Sequence, residues 1–190
     1  MIYSYKMKLT IKELRSLIKN HITESALMQP PAGGYVKVDG NLNHIKITIV
    51  DPSKRETHWP GFMSIGRVQL QDGVVREVEN VSAEKGYGPL LYDVAMELVG
   101  PGDYMGDNGI MCDRTSVSAA ARNVWKHYFE NRTDVEKEKL PENWFIFSAT
   151  LKERPEYLKY YYFKFDTSTI DSLKSNGLIK SDDFDFFEKS

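Results

Sequence analysis

Residues 84–89 read Glu-Lys-Gly-Tyr-Gly-Pro and stand between two apolar patterns of different period. Before them, residues 74–83 alternate as a strand does. After them, Leu91, Val94, Ala95 and Leu98 recur at helical spacing. A strand that passes through a glycine turn directly into a helix offers backbone N–H groups and a helix N-terminus to an anion. Gly86 and Gly88 lack a Cβ, so a phosphate can come close to the main chain. Pro89 suits the first helical position, where an N–H is not needed. The chemistry these residues could do is therefore to hold a phosphorylated ligand. The same residues also suit a strand-to-helix connection that binds nothing.

The flanking elements follow from periodicity and turn chemistry. Thr10 and Glu13 form a capping box, and Ile11, Leu14, Leu17, Ile18 and Ile22 predict a helix over 11–23. Its other face carries Lys12, Arg15 and Lys19, which suit solvent or an anionic partner. Residues 29–34, Gln-Pro-Pro-Ala-Gly-Gly, read as a linker. Strands are predicted over 35–39 and 44–50, joined at Gly40 and Asn41 as a hairpin, and over 62–70 and 74–81, joined by Gln71, Asp72 and Gly73. A helix over 90–98 is stopped by the Gly-Pro-Gly of 100–102. Residues 109–113 predict a short strand parallel to the one over 74–83. Thr115 or Ser116 then caps a helix reaching Asn131, with Ala120, Ala121, Val124, Trp125 and Tyr128 on its apolar side. Residues 131–139 read as a solvated connection. Strands over 144–151 and 158–165 close the sheet, and a helix over 168–176 ends at Gly177. The expected fold is α+β, a mixed sheet flanked by helices. It divides into an N-terminal helix and linker (1–30), the main domain (31–180) and an acidic, aromatic tail (181–190).

Composition narrows the classes. The chain has 190 residues, 27% of them charged, and a formal net charge of −2, so no global basic field favours nucleic acid. The single cysteine, Cys112, rules out an internal disulfide and any multi-cysteine zinc site. No apolar run nears the roughly 20 residues that a membrane helix needs. The first residues lack a secretory apolar core, which predicts a cytoplasmic protein. His21, His44, His58 and His127 show no paired metal spacing.

Gly86, Tyr87 and Gly88 with Leu91, followed by Ala121, resemble the GNAT N-acetyltransferase superfamily over residues 74–130. In that family a strand, a loop of pattern Gln/Arg-x-x-Gly-x-Gly/Ala and a helix bind acetyl-coenzyme A. A second strand and helix follow, the helix bearing Asn-x-x-Ala-x-x-x-Tyr. Similar glycine turns followed by Asp-Arg and Val-Ser occur in tailed-phage proteins, which adds a host cytoplasm or a virion to the expected locations. The resemblance implies a GNAT-like single domain. Its cofactor would be acetyl-coenzyme A, held by Lys85, Gly86, Tyr87 and Gly88 and by the strand at Val81. Its acceptor would be an amine of a small molecule or a protein.

The departures from the family pattern carry consequences. Ala83 replaces the loop's Gln or Arg, Ser118 replaces the Asn, and Trp125 replaces the Tyr that serves as general acid. An indole donates a hydrogen bond but has no useful acidity. Under this resemblance Glu79, beside Glu77, is the candidate general base and Tyr128 the substitute acid. Tyr128 also suits a core position with its hydroxyl satisfied. Cys112, Asp113 and Arg114 stand at a strand end, where a nucleophile, an ion pair or a cap are all open readings. Two functions remain. One is an acyltransferase. The other is a silent GNAT-like fold used in assembly or host interaction, docking through the N-terminal helix or the C-terminal tail.

Overall fold

The computed structural model describes residues 29–54, 58–101, 105–141, 154–182 and 187. The predicted helix over 11–23 and the predicted strand over 144–151 lie outside these residues. In chain order the elements are β1 (Tyr35–Gly40), β2 (His44–Val50), β3 (Gly61–Leu70), β4 (Gly73–Ala83), α1 (Gly88–Val99), β5 (Ile110–Cys112), α2 (Ala119–Asn131), β6 (Glu136–Lys139), β7 (Tyr160–Phe163), α3 (Ser168–Ser175) and β8 (Ile179–Ser181). A single 3-10 turn, Glu156–Leu158, precedes β7.

The strands form one eight-stranded mixed sheet in the order β6-β7-β5-β4-β3-β2-β1-β8. β1 to β4 are an antiparallel meander. β4 and β5 are parallel, as the strand–helix–strand unit requires. The protein is thus an α+β domain whose mixed sheet and helices are consistent with a GNAT-like architecture.

One face of the sheet is apolar because alternate residues point to it. Val36, Val38, Ile45, Ile47, Ile49, Met63 and Ile65 are fully buried there, in one core with α1. α1 itself departs from the expected one-sided pattern: every residue from Leu90 to Val99 is buried. A helix apolar almost all round belongs in the interior. α3 and the aromatic side of α2, Trp125 and Tyr128, share its core cluster.

This burial takes two carboxylates inside. Glu97 Oε1 accepts from Lys164 Nζ at 2.7 Å and from the Thr169 amide at 3.1 Å, and Oε2 accepts from the Ile170 amide at 2.8 Å. Glu97 therefore caps α3 and neutralises a lysine that is only 3% exposed. Asp93 is fully buried, 3.2 Å from Arg132 Nη2, and takes a long hydrogen bond of 3.5 Å from the Tyr128 hydroxyl. Burial pushes the Asp93 carboxyl up to about 6, against the pull of Arg132.

Several boundaries differ from the sequence reading. α2 starts at Ala119, not after Thr115 or Ser116: Ser118 is the N-cap, its hydroxyl accepting from the Ala121 amide at 3.2 Å. Thr115 and Ser116 instead turn about Asp113. Residues 136–139, read as solvated connection, form the edge strand β6 paired with β7. The strand expected over 158–165 is only Tyr160–Phe163, and Phe165 is exposed. β8 was not foreseen: Ile179–Ser181 adds in parallel to β1, so Ser181, expected in the tail, ends a strand. Asp182 follows and pairs with Lys37 at 2.7 Å.

Breaking a buried ion pair from one side leaves an uncompensated charge and costs about 3–5 kcal/mol. Glu97→Ala should therefore lower the urea-unfolding free energy towards that order, because two amides of α3 lose their acceptor and Lys164 keeps only the more distant Asp134 and Asp166, each at 3.5 Å. A loss under about 1 kcal/mol would show that Lys164 finds another route to neutrality.

Candidate active site: a cleft where two parallel strands part

β5 is three residues long and pairs with β4 at Arg76–Ile110, Glu77–Met111 and Val78–Cys112. β4 continues for five more residues to Ala83, paired only with β3 on its other side. Among the described residues, one backbone edge of β4 beyond Val78 thus has no strand beside it. The gap is a cleft of about 180 Å³ lined by Val78, Glu79, Asn80 and Val81 of β4 and by Tyr92, Asp113, Ser116, Val117, Ser118, Ala121 and Trp125.

The register of β3 against β4 slips in this region. Ile65 pairs with Val78 and Ser64 with Asn80, which makes Glu79 the extra residue of a β-bulge. The bulge aims the Glu79 side chain over Gly66, where a Cβ would collide with its carboxylate. Glu79 Oε2 lies 2.8 Å from His44 Nε2. His44 alternates with the buried Ile45, so this pair stands on the sheet face opposite α1. Both side chains are about half exposed. A carboxylate bonded to an accessible imidazole is a plausible proton acceptor. Glu77 is otherwise engaged: its two oxygens accept from the Arg114 amide at 2.6 Å and the Arg114 Nε at 2.8 Å. It fixes the chain leaving β5.

The glycine turn lies at the far end of β4. The Glu84 amide donates to the Pro60 carbonyl and the Tyr87 amide to the Glu84 carbonyl, closing a turn in which Gly86 takes φ +99°. No side chain caps α1. Among the described residues the amides of Lys85, Gly86 and Gly88 have no hydrogen-bond partner, whereas that of Tyr87 is used inside the turn. A Cβ placed on Gly88 meets nothing within 4 Å, so the space before it is open. Lys85 is exposed, and Tyr87 is half-buried against the core.

Two side chains that no sequence spacing ties to the turn, Lys54 and His58, sit beside it. Lys54 Nζ and His58 Nε2 lie 2.9 Å and 2.8 Å from the same Glu84 oxygen. Lys54 and then His58 hold the Glu84 carboxyl below its ordinary range. Lys54 and the exposed Lys85 place two ammonium groups at the turn, the first of them paired with the Glu84 carboxylate. Only the long connection after β2 brings Lys54 and His58 there, and no local spacing signals it.

The remaining expected residues separate. Val81 lines the cleft with Glu79. Tyr128 does not: it is 2% exposed, its hydroxyl is turned to Asp93, and burial followed by the Asp93 charge raises its pKa well above a phenol's usual value. Trp125, which does line the cleft, is on the preceding turn of the same helix. Asp113 accepts from the Thr115 amide and hydroxyl and from the Ser116 amide. Burial would raise its pKa, but these bonds outweigh it and hold the carboxyl below its ordinary range. No group of three or more His, Cys, Asp or Glu suited to a metal occurs among the described residues. None of the helices there is long and apolar enough to cross a membrane.

No protein-family model matches the chain, and no curated protein matches it significantly in sequence. The functional reading therefore rests on the geometry above.

Cys112 resolves towards structure. It is 4% exposed, its Sγ lies 3.6 Å from the Leu158 carbonyl, and burial pushes its thiol up to about 11. Thiolate is the reactive form. Iodoacetamide at pH 8 should leave the native protein unlabelled and label it stoichiometrically in denaturant; rapid native labelling would contradict this placement.

Proposed function

We propose that the chain is a GNAT-like acyltransferase domain that binds acetyl-coenzyme A and transfers its acyl group to an amine. The observation that carries this reading is the parting of β4 from β5. It leaves an unpaired backbone edge, a carboxylate and an uncapped helix N-terminus along one strand.

Each part has a task. The free amides of Lys85, Gly86 and Gly88, with Lys54, His58 and Lys85 around them, suit a pyrophosphate. The unpaired edge of β4 beyond Val78 suits the extended arm of the coenzyme, as an added strand would. Its N–H groups can polarise the thioester carbonyl. The amine must be neutral to attack, and Glu79, paired with His44, takes the proton that it loses. The new N–C bond forms as the C–S bond breaks. Sulfur leaves with the bonding pair and is protonated from water. The open, half-exposed surround of Glu79 and His44 is where an acceptor amine would enter.

The coenzyme comes first in testing. Calorimetry should show coenzyme A binding in the micromolar range, on the order of −8 kcal/mol. Gly88→Val fills the open space before the turn without a clash in the fold, so it should abolish binding and leave the unfolding transition in place. Absence of binding by the wild type at millimolar coenzyme would reject the acyltransferase and leave a silent fold used in assembly.

Tyr128→Phe separates the two roles open to that tyrosine. Its hydroxyl faces Asp93 and not the cleft, so transfer should proceed at a rate within about threefold of the wild type. General acid catalysis typically contributes about 10²–10⁴-fold, so a fall of that size would make Tyr128 the proton donor after all.

A further inference from the structure

One buried side chain in the cleft has a polar atom with nothing to bond. Tyr92, on the first turns of α1, is 2% exposed and lines the cleft, yet among the described residues its hydroxyl has no hydrogen-bond partner. The ring is held on both sides. Trp125 meets it edge-on, with centroids 5.2 Å apart, and Tyr128 is tilted against it at 5.7 Å. The hydroxyl is therefore placed by packing and cannot swing away to find a partner. An unpaired buried polar group costs about 1–3 kcal/mol, and phenylalanine would fill the same ring space without that cost. The other tyrosines of this cluster are satisfied: Tyr128 by Asp93 and Tyr162 by the Tyr157 carbonyl.

The position of the hydroxyl narrows what it can serve. Burial, and secondarily the neighbouring Cys112, raises its pKa. Cys112 is the residue opposite Val78 where pairing ends, and Val78 lines the cleft together with Tyr92. Glu79, the bulged residue, follows Val78 directly. Tyr92 and Glu79 both line the cleft, so an acyl group seated in it can meet both.

We propose that the Tyr92 hydroxyl donates a hydrogen bond to the carbonyl oxygen of the acyl thioester, beside the main chain of β4. This rests on the reading of the cleft as an acyl-thioester site. Tyr92 acts from the α1 side of the sheet, and the amine arrives from the opposite side, where Glu79 and His44 stand. Donation, not proton transfer, is the role that the environment permits. A thiol has a pKa of about 8.5 in water. A phenol raised above its usual range would give its proton to that thiolate only uphill. A phenol that stays neutral at every physiological pH is instead a constant donor. The hydroxyl would thus fill part of the place that Trp125 leaves without an acidic group, by stabilising the oxygen rather than the sulfur.

Tyr92→Phe tests this with acetyl-coenzyme A and coenzyme A as the two calorimetric probes. Only the acylated form carries the carbonyl in question. The wild type should bind acetyl-coenzyme A about two- to tenfold more tightly than coenzyme A, the worth of one hydrogen bond. In Tyr92→Phe that preference should vanish while the affinity for coenzyme A is unchanged. The ligand-free variant should melt at the same temperature as the wild type or higher, since an unpaired hydroxyl is removed. A purely structural hydroxyl would give the opposite sign. A preserved preference, or a lowered melting temperature with both affinities unchanged, would overturn the role of Tyr92 and leave the coenzyme site standing. A wild type that binds neither probe would overturn the site and the role together.

Discussion

The architecture depends on the complete burial of α1. A helix laid on a sheet normally keeps one polar side in water, but here residues Leu90 to Val99 have none. Two carboxylates consequently enter the interior and must be neutralised there. Glu97 does so by capping α3 and holding Lys164, and Asp93 does so against Arg132. These polar pairs fix which segments cover the helix, a discrimination that non-directional apolar contact cannot supply. Tyr92 belongs to this buried helix and the glycine turn leads into it, so the candidate site is built on an interior element of the domain.

A mismatch of strand lengths creates the cleft. β4 has eleven residues and its parallel neighbour β5 has three. Past the third pair the backbone groups of β4 on that side meet no strand among the described residues. The bulge at Glu79 comes one residue after the last pair with β5, and it turns the carboxylate over Gly66 to His44. Among the described residues the open edge of β4 begins where β5 ends, at Cys112.

Much of this was legible in the sequence, and the exceptions have physical causes. The meander, the β4–β5 relation and α3 with Gly177 announced themselves because each buries one face and leaves a period of 2 or 3.6; α1 did so through Leu91, Val94, Ala95 and Leu98, although its other side is buried as well. β6 reads Glu-Lys-Glu-Lys and is a strand only because β7 offers it an edge; it has no apolar face to betray it. β8 is three residues long, too short for any pattern. The start of α2 was displaced because Thr115, Ser116 and Ser118 are all competent caps, and Asp113 claims the first two. At the site, Glu79, Val81 and the glycine turn were nominated from the sequence, and Glu79 and Val81 share the cleft. Tyr92 passed unnoticed because a tyrosine amid leucines and valines reads as core. Only coordinates show its hydroxyl unanswered. Lys54 and His58 reach the turn through a tertiary contact that spacing does not encode.

The parallel pairing of β8 with β1 has a consequence for how the domain comes into being. Val36 pairs with Ile179, so the first and last strands among the described residues are neighbours in space. During synthesis the meander can assemble early, from contacts close in sequence, while the outer edge of β1 stays open until residues 179–181 emerge. An open edge is a template for the strand of another chain. Its own cover comes from a distant segment, whose closure is slow because a long loop must be ordered first. The nascent chain therefore passes through a stage in which its most ordered part is also its most adhesive. The charges along that edge, Lys37 and Asp39, with Asp182 arriving beside Lys37, guard it against pairing with a stranger.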